Sequence, residues 1–239
     1  MSLAEDRKFY IVCGHYGCGK SNFSLNLAID RARKGRKVML VDLDLVNPYF
    51  LSSGYKEKLE GMGITVIAPM FANTNVETPG LPANINMVFE TDADVIMDVG
   101  GDDAGSIVLG RYARQLENVD YEMLYLVNKY RNLTATAEET VEIMNEIQSA
   151  SRCKVGAVVN NSHLKYETTW ETVENSLAYA EEIAKLAEVP LWATTIPTFL
   201  YKDEKVQALT EQYDSANWYP VEIYVRAPWE SGVPEFDKL

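Results

Sequence analysis

The octapeptide Gly14-His15-Tyr16-Gly17-Cys18-Gly19-Lys20-Ser21 constrains this chain more than any other stretch. It matches G-x-x-x-x-G-K-[ST] in full. The apolar run Phe9 to Cys13 leads into it, and a helix-like segment, Lys20 to Arg33, follows with Phe23, Leu27 and Ala28 at helical spacing. A strand that turns through glycines into a helix forms a phosphate cradle. Glycines let the backbone wrap closely around anionic oxygens. Successive N–H groups and the helix N-terminus supply positive potential. In this arrangement Lys20 reaches the β- and γ-phosphates of a nucleotide, and the Ser21 hydroxyl ligates Mg²⁺.

The rest of the chain keeps the same alternation. Strand-like runs recur at Lys37 to Val41, closed by Asp42, and at Ile64 to Ala68, stopped by Pro69. Further runs span Val95 to Asp98, Tyr121 to Val127, Val155 to Val159 and Leu191 to Ile196. Helix-length segments lie between them, most clearly Thr134 to Ser149 and Thr168 to Glu188, each with a threonine placed to cap its start. Continuous apolar strands alternating with helices predict an α/β fold: a doubly wound, mostly parallel β-sheet with helices on both faces. A length of 239 residues fits one nucleotide-binding domain over 1–239. Two segments break the rhythm. Met70 to Pro82 reads as a long irregular loop. From about residue 215 an irregular arm, with Trp218, Pro220, Pro228, Trp229 and Pro234, is expected to pack on the body.

Charge and cysteine usage exclude several roles. The 22 Lys and Arg residues against 35 Asp and Glu give a net charge of -13, which argues against a nucleic-acid partner. The basic run Arg31, Arg33, Lys34, Arg36 and Lys37 falls at a helix end, where cations complement the dipole. No stretch approaches the roughly 18 apolar residues that span a bilayer, which argues against a membrane partner. Cys13, Cys18 and Cys153 are too few and scattered for a disulfide framework, so a reducing cytoplasm is expected. Cys13, His15 and Cys18 lie close together but lack a fourth metal ligand.

Carboxylates complete the candidate site. Asp42 and Asp44 end the second strand, where ligands sit in a doubly wound sheet, and alternation puts both on one side with Leu43 pointing away. One can hold the hydration shell of Mg²⁺ while the other orients or deprotonates the attacking water. Asp98 ends another strand at the Walker-B position for Mg²⁺. The following Val99-Gly100-Gly101 makes a D-x-x-G switch, whose backbone N–H senses a γ-phosphate. The catalytic set is therefore Lys20, Asp42 and Asp44; the metal set is Ser21, Asp42 and Asp98; and Gly14 to Asn22 with Gly101 bind the nucleotide. Asn128-Lys129-Tyr130-Arg131 leaves an N-K-x-D guanine signature incomplete. Arg131 reads equally as a phosphate or partner contact and as a solvated turn. His163 reads as a structural or solvated loop histidine.

These motifs resemble those of MinD/ParA-type P-loop ATPases, in the wider class that includes nitrogenase iron protein and the CooC-like nickel-insertion ATPases. The resemblance runs from about Lys8 to Leu209. It rests on the phosphate loop, on Gly35-Arg36-Lys37-Val38-Met39-Leu40-Val41-Asp42-Leu43-Asp44, on Asp98-Val99-Gly100-Gly101, and on Ile196-Pro197 followed by Val206-Gln207-Ala208. It implies ATP and Mg²⁺ as cofactors, slow hydrolysis, a nucleotide-dependent homodimer with ATP sandwiched in it, and switch loops that report to a protein partner. It places Asp42 and Asp44 near the γ-phosphate, Asn160 at the adenine base and Pro197 in the loop bordering that base. The chain departs from the family at His15, where the deviant Walker-A motif carries a signature lysine that reaches the partner's phosphates. A neutral imidazole lacks that fixed charge, so His15 is expected to weaken dimerisation or to make it pH-dependent.

No C-x-x-C pair is present to bridge an iron–sulfur cluster, and the tail is not the basic amphipathic helix of a membrane-held MinD protein. Two other readings stay open. One is a small-molecule kinase or ATP-dependent ligase, as among dethiobiotin synthetase-like relatives, with Met70 to Pro82, Asp102, Asp103 and Arg111 lining its pocket. The other is a non-hydrolysing nucleotide-binding scaffold.

Overall fold

Both faces of the central strands are apolar, and both are covered. Along β1 (Phe9–Cys13), Phe9, Ile11 and Cys13 join one buried cluster while Tyr10 and Val12 join the other. The same division runs through neighbouring strands, because successive side chains of an extended segment point opposite ways. A sheet that is apolar on both sides must sit between two helical layers. The structure is a computed structural model and describes residues 7–44, 53–69, 83–101 and 103–225. The expected loop Met70 to Pro82, Asp102, and the arm's Pro228, Trp229 and Pro234 lie outside the described residues.

In chain order the elements are β1, α1 (Lys20–Arg33), β2 (Val38–Asp42), α2 (Ser53–Gly61), β3 (Ile64–Ile67), β4 (Asp94–Asp98), α3 (Asp103–Gly110), α4 (Ala113–Leu116) and β5 (Tyr121–Val127). There follow α5 (Ala137–Ser151), β6 (Ala157–Asn160), α6 (Trp170–Glu174), α7 (Leu177–Leu186), β7 (Leu191–Pro197), α8 (Thr198–Tyr201), α9 (Glu204–Thr210) and β8 (Trp218–Val221). The eight strands form one sheet in the order β3-β2-β4-β1-β5-β6-β7-β8. Every described pairing is parallel. The chain lays β2, β3 and β4 on one side of β1, then crosses to β5 on the other. That reversal opens a crevice at the carboxyl end of β1. Phe23 and Leu25 of α1 pack on one face of the sheet; Leu109 of α3, Met144 of α5 and Ile183 of α7 pack on the other.

Several strand bounds move by one or two residues, most at β6, which begins at Ala157 rather than Val155, and three expectations shift further. The helix expected from Thr134 starts at Ala137, because Thr136 and Glu139 form a reciprocal capping box. The long helix expected over Thr168 to Glu188 divides into α6 and α7. At the break the Ser176 hydroxyl donates to the Val173 carbonyl at 2.6 Å and accepts from the Asn160 amide at 2.9 Å, a local alternative to helical pairing. The arm expected from about residue 215 is more regular than its prolines suggest. Its Trp218–Val221 segment is the edge strand β8, paired with β7 alone, and an edge tolerates Pro220.

Beyond β8 the chain is fastened to α1. The Asn22 carboxamide donates to the Glu222 carbonyl at 2.9 Å and accepts from the Tyr224 and Val225 amides at 2.8 and 3.1 Å. Asn26 accepts from the Glu222 amide at 2.8 Å and donates to its carbonyl at 2.9 Å. No helix among the described residues is long and apolar enough to cross a membrane.

Candidate functional site

The crevice at the end of β1 is filled by the loop Gly14 to Gly19. Gly19 stands at the N-cap of α1 in the left-handed region, with φ 92°, and a side chain there would collide with the Asn161 amide. No side chain caps α1, and its first turn holds no acidic residue. The first N–H groups of a 14-residue helix therefore point, uncapped, at the space beside the loop. Lys20 is buried, and its ammonium donates to the His15 carbonyl at 3.2 Å, across the loop's mouth. His15 is half-buried with an unpartnered Nδ1, whereas Tyr16 is 63 % exposed.

Opposite the helix stand the acids. The β2–β4 register sets Asp42 directly beside Asp98 at adjacent strand tips, and both are about 1 % exposed. Ser21 donates to one oxygen of Asp98 at 2.7 Å and Ser24 donates to the other at 3.1 Å. Burial pushes the Asp98 carboxyl up to about 6; the Ser21 bond, the Lys20 charge and the Ser24 bond hold it back from rising further. Burial, then the neighbouring Asp98, raises Asp42 well above the carboxylate range. Asp42 accepts from the Asp44 amide at 2.9 Å through one oxygen; its other oxygen is buried without a partner among the described residues. Leu43 packs into the same cluster as Val41, so the chain keeps its alternation through Asp42 and Asp44. Past β4, Gly101 lies so close to the Tyr16 backbone and the Lys20 ammonium that a side chain there would sit 2.7 Å and 2.5 Å from them.

This donor set suits a hydrated divalent cation bound together with phosphates. Among the described residues no group of three His, Cys, Asp or Glu could hold a metal ion on its own. Mg²⁺ keeps several waters and takes one or two carboxylates plus phosphate oxygens, so Ser21, Asp98 and the orphan oxygen of Asp42 fit it. The thiols do not compete for it: burial raises both Cys13 and Cys18, and Cys13 donates to the Leu124 carbonyl.

The remaining candidates are dispersed. Asn160 is fully buried, donating to Ser176 and accepting from the Ser162 amide at 3.3 Å, so its carboxamide is already engaged inside the fold. Its neighbour Asn161 faces the phosphate loop instead. It donates to the Cys18 carbonyl at 2.7 Å and accepts from Thr195 at 2.7 Å, bracing the loop against β6 and β7. The Asn-Asn doublet was the available signal, since alternation sends neighbours to opposite sides. Asn22 turns its carboxamide to residues 222–225 rather than to the loop. Pro197 is buried at the end of β7, where the chain turns into α8. His163 is buried and neutral, lowered to about 4 by burial and by the Arg131 and Lys165 charges, with Nε2 unpartnered.

The Asp98 environment has a measurable cost. Its folded value of about 6 lies above the ordinary 3.8, so its contribution to stability is complete below pH 3.8 and is lost as pH rises through about 6. A shift of that size corresponds to about 3 kcal/mol. Without divalent ions, Asp98→Asn should flatten much of the decline in urea stability between pH 4 and 7, leaving a residual slope from Asp42. Parallel pH profiles for the two proteins would contradict this account.

Comparison with known proteins agrees with the geometry. A family model described as the CobQ/CobB/MinD/ParA nucleotide binding domain matches residues 10–236. No curated protein matches the chain. Among solved structures, the chain is similar to the signal recognition particle 54 kDa protein from Aeropyrum pernix in complex with GDP, at 16% identity and a TM-score of 0.53, covering 87% of this chain and 49% of that one. It is likewise similar to FtsY from Mycoplasma mycoides, at 15% identity and a TM-score of 0.52, covering 80% of this chain and 60% of that one. The chain thus spans about half to three fifths of the length of these structures, and at such identities the likeness is one of fold.

Proposed function

The chain belongs to the CobQ/CobB/MinD/ParA nucleotide-binding family, and from that premise we propose that it is a slow Mg²⁺-dependent ATPase that switches a protein partner. The observation that carries the reading is the convergence of an uncapped helix N-terminus, the Lys20 ammonium and the Ser21–Asp98–Asp42 group on one crevice. The loop N–H groups bind the phosphates, and Lys20 leaves the His15 carbonyl for a phosphate oxygen. Ser21 and Asp98 hold Mg²⁺, which supplies charge neutralisation at the phosphates. Asp42, buried beside Asp98 with one oxygen unpartnered among the described residues, is the candidate proton acceptor, and Asp44 beside it orients water.

Gly101, packed against Lys20 and Tyr16, is positioned to register whether a γ-phosphate is present. Its loop leads into α3, so the phosphate state is passed to a surface that a partner can read. ATP is favoured over GTP because the turn after β5 ends in Arg131, where a guanine signature needs a carboxylate to accept from the base's N–H groups. A homodimer closes over the nucleotide, with His15 and the exposed Tyr16 at the loop's outer side. The protein works in the cytoplasm, where its three buried free cysteines remain thiols.

Calorimetry with ATP, ADP and GTP, phosphate release with and without Mg²⁺, and light scattering with a non-hydrolysable ATP analogue test this together. Tight ATP binding, weaker GTP binding, slow Mg²⁺-dependent release and a nucleotide-induced doubling of mass are expected. Tight binding without phosphate release would reduce the protein to a scaffold. Release strictly dependent on an added small acceptor would make it a kinase or ligase.

A further inference from the structure

Arg131 lies beside the phosphate loop. A side-chain carbon placed on Gly17 would sit 3.4 Å from both the Cζ and the Nε of Arg131, in van der Waals contact with the guanidinium. The residue is exposed, and its guanidinium has no hydrogen bond or ion pair among the described residues. Its backbone is nonetheless fixed: the Arg131 amide donates to the Asn128 carbonyl at 3.2 Å, and the Arg131 carbonyl accepts from the Thr134 amide at 3.1 Å. A planar cation on an anchored turn, against a loop built to hold phosphates, is placed to touch what that loop holds.

The sheet order decides which end of the ligand it touches. Asp42 and Asp98 come from β2 and β4, on one side of β1, and Gly101 approaches Lys20 from that same side. The metal and the terminal phosphate therefore belong there. Arg131 follows β5, on the other side of β1, so a nucleotide lying across the loop presents its nucleoside half to Arg131. A guanidinium stacks on aromatic faces and is weakly hydrated, which suits it to a purine.

We propose that Arg131 is a nucleoside-binding residue that packs its guanidinium against the purine base of the bound nucleotide, rather than a clamp on the terminal phosphates. The proposal rests on the nucleotide reading above. It concerns affinity for the base, not the hydrolytic step.

Calorimetry on the full chain with Mg²⁺ and three probes, ATP, ADP and inorganic tripolyphosphate, tests it. Arg131→Ala should weaken ATP and ADP alike by about tenfold, equivalent to ~1.4 kcal/mol, and leave tripolyphosphate unchanged. Arg131→Lys should recover little of the loss, because an ammonium is a point charge without a stacking plane. Unchanged ADP and ATP affinities would make Arg131 a solvated turn residue and overturn the proposal. A parallel loss for tripolyphosphate would overturn it too, by assigning the residue to the phosphates. If the wild-type chain binds none of the three probes, the phosphate-loop reading itself fails, and that result is distinct from a silent variant of a binding-competent protein. The side chain is exposed and has no partner among the described residues, so the melting curve of the alanine variant should overlay that of the wild type.

Discussion

Nucleotide affinity should fall at least roughly a hundredfold when Lys20 is replaced by alanine, a loss of about 2.7 kcal/mol. Hydrogen bonds to charged groups contribute about 1.5–3 kcal/mol each, and Lys20 brings a full charge into a site that shields it from water. The ammonium's one described hydrogen bond goes to a neutral carbonyl, that of His15, so the substitution removes little that holds the loop itself together. It also removes one of the influences that restrain the Asp98 carboxyl, so the proton on Asp98 is held more tightly and divalent-ion binding suffers as well. Calorimetry of ATP and ADP against both proteins measures the change. Affinities within threefold of each other would mean that the octapeptide is a turn and not a phosphate site.

The second large effect is on stability. Gly14→Ala should cost about 4 kcal/mol, combining overpacking with an unfavourable backbone angle. For a chain of this size that lowers the melting temperature by about 8–15 °C. The new Cβ would collide with the carbonyl oxygen of Leu126 and approach the Cys18 sulfur at 3.0 Å, at φ +142°. Leu126 lies in β5, which pairs with β1 through Val12 and Leu124 and through Cys13 and Tyr125, so it cannot retreat without opening the ladder at the centre of the sheet. Gly35→Ala is the control. It shares a positive φ, +78°, but its Cβ would meet nothing within 4 Å, so a penalty of about 1–2 kcal/mol is expected. Equal penalties at the two sites would show that the collision with Leu126 is relieved in some other way.

Local signals in the sequence were strong enough to place β1, α1 and β5 to the residue, because apolar runs and a glycine loop delimit them. The sheet's two-sided burial followed from strands without polar alternation. The division of α6 from α7 was not legible, because Ser176 interrupts a helical pattern only through a bond to Asn160, a residue on another element. Within the site, the loop and its acids announce themselves by spacing, and Asp42 and Asp98 meet because parallel strands bring their tips level. Asn161 and Arg131 carry only weaker signals, the Asn-Asn doublet and the turn that ends an incomplete N-K-x-D. Their positions depend on how the loops after β6 and β5 fold back over Cys18 and Gly17, which is set by tertiary packing. Asn22 shows the same limit: its position in the helix that follows the loop suggests a ligand contact, while its side chain reaches partners about 200 residues away.

That reach bears on how the polypeptide can be shortened. Removing residues from 222 onward would strip the buried Asn22 carboxamide of its described partners and leave that of Asn26 with the Asn22 carbonyl alone. Each deserted amide is costly when it stays out of contact with solvent. Both belong to the coil whose first turn cradles the anion, so trimming the far terminus would loosen the very helix on which ligand capture depends. Versions trimmed for crystallography or screening are best kept intact through Val225.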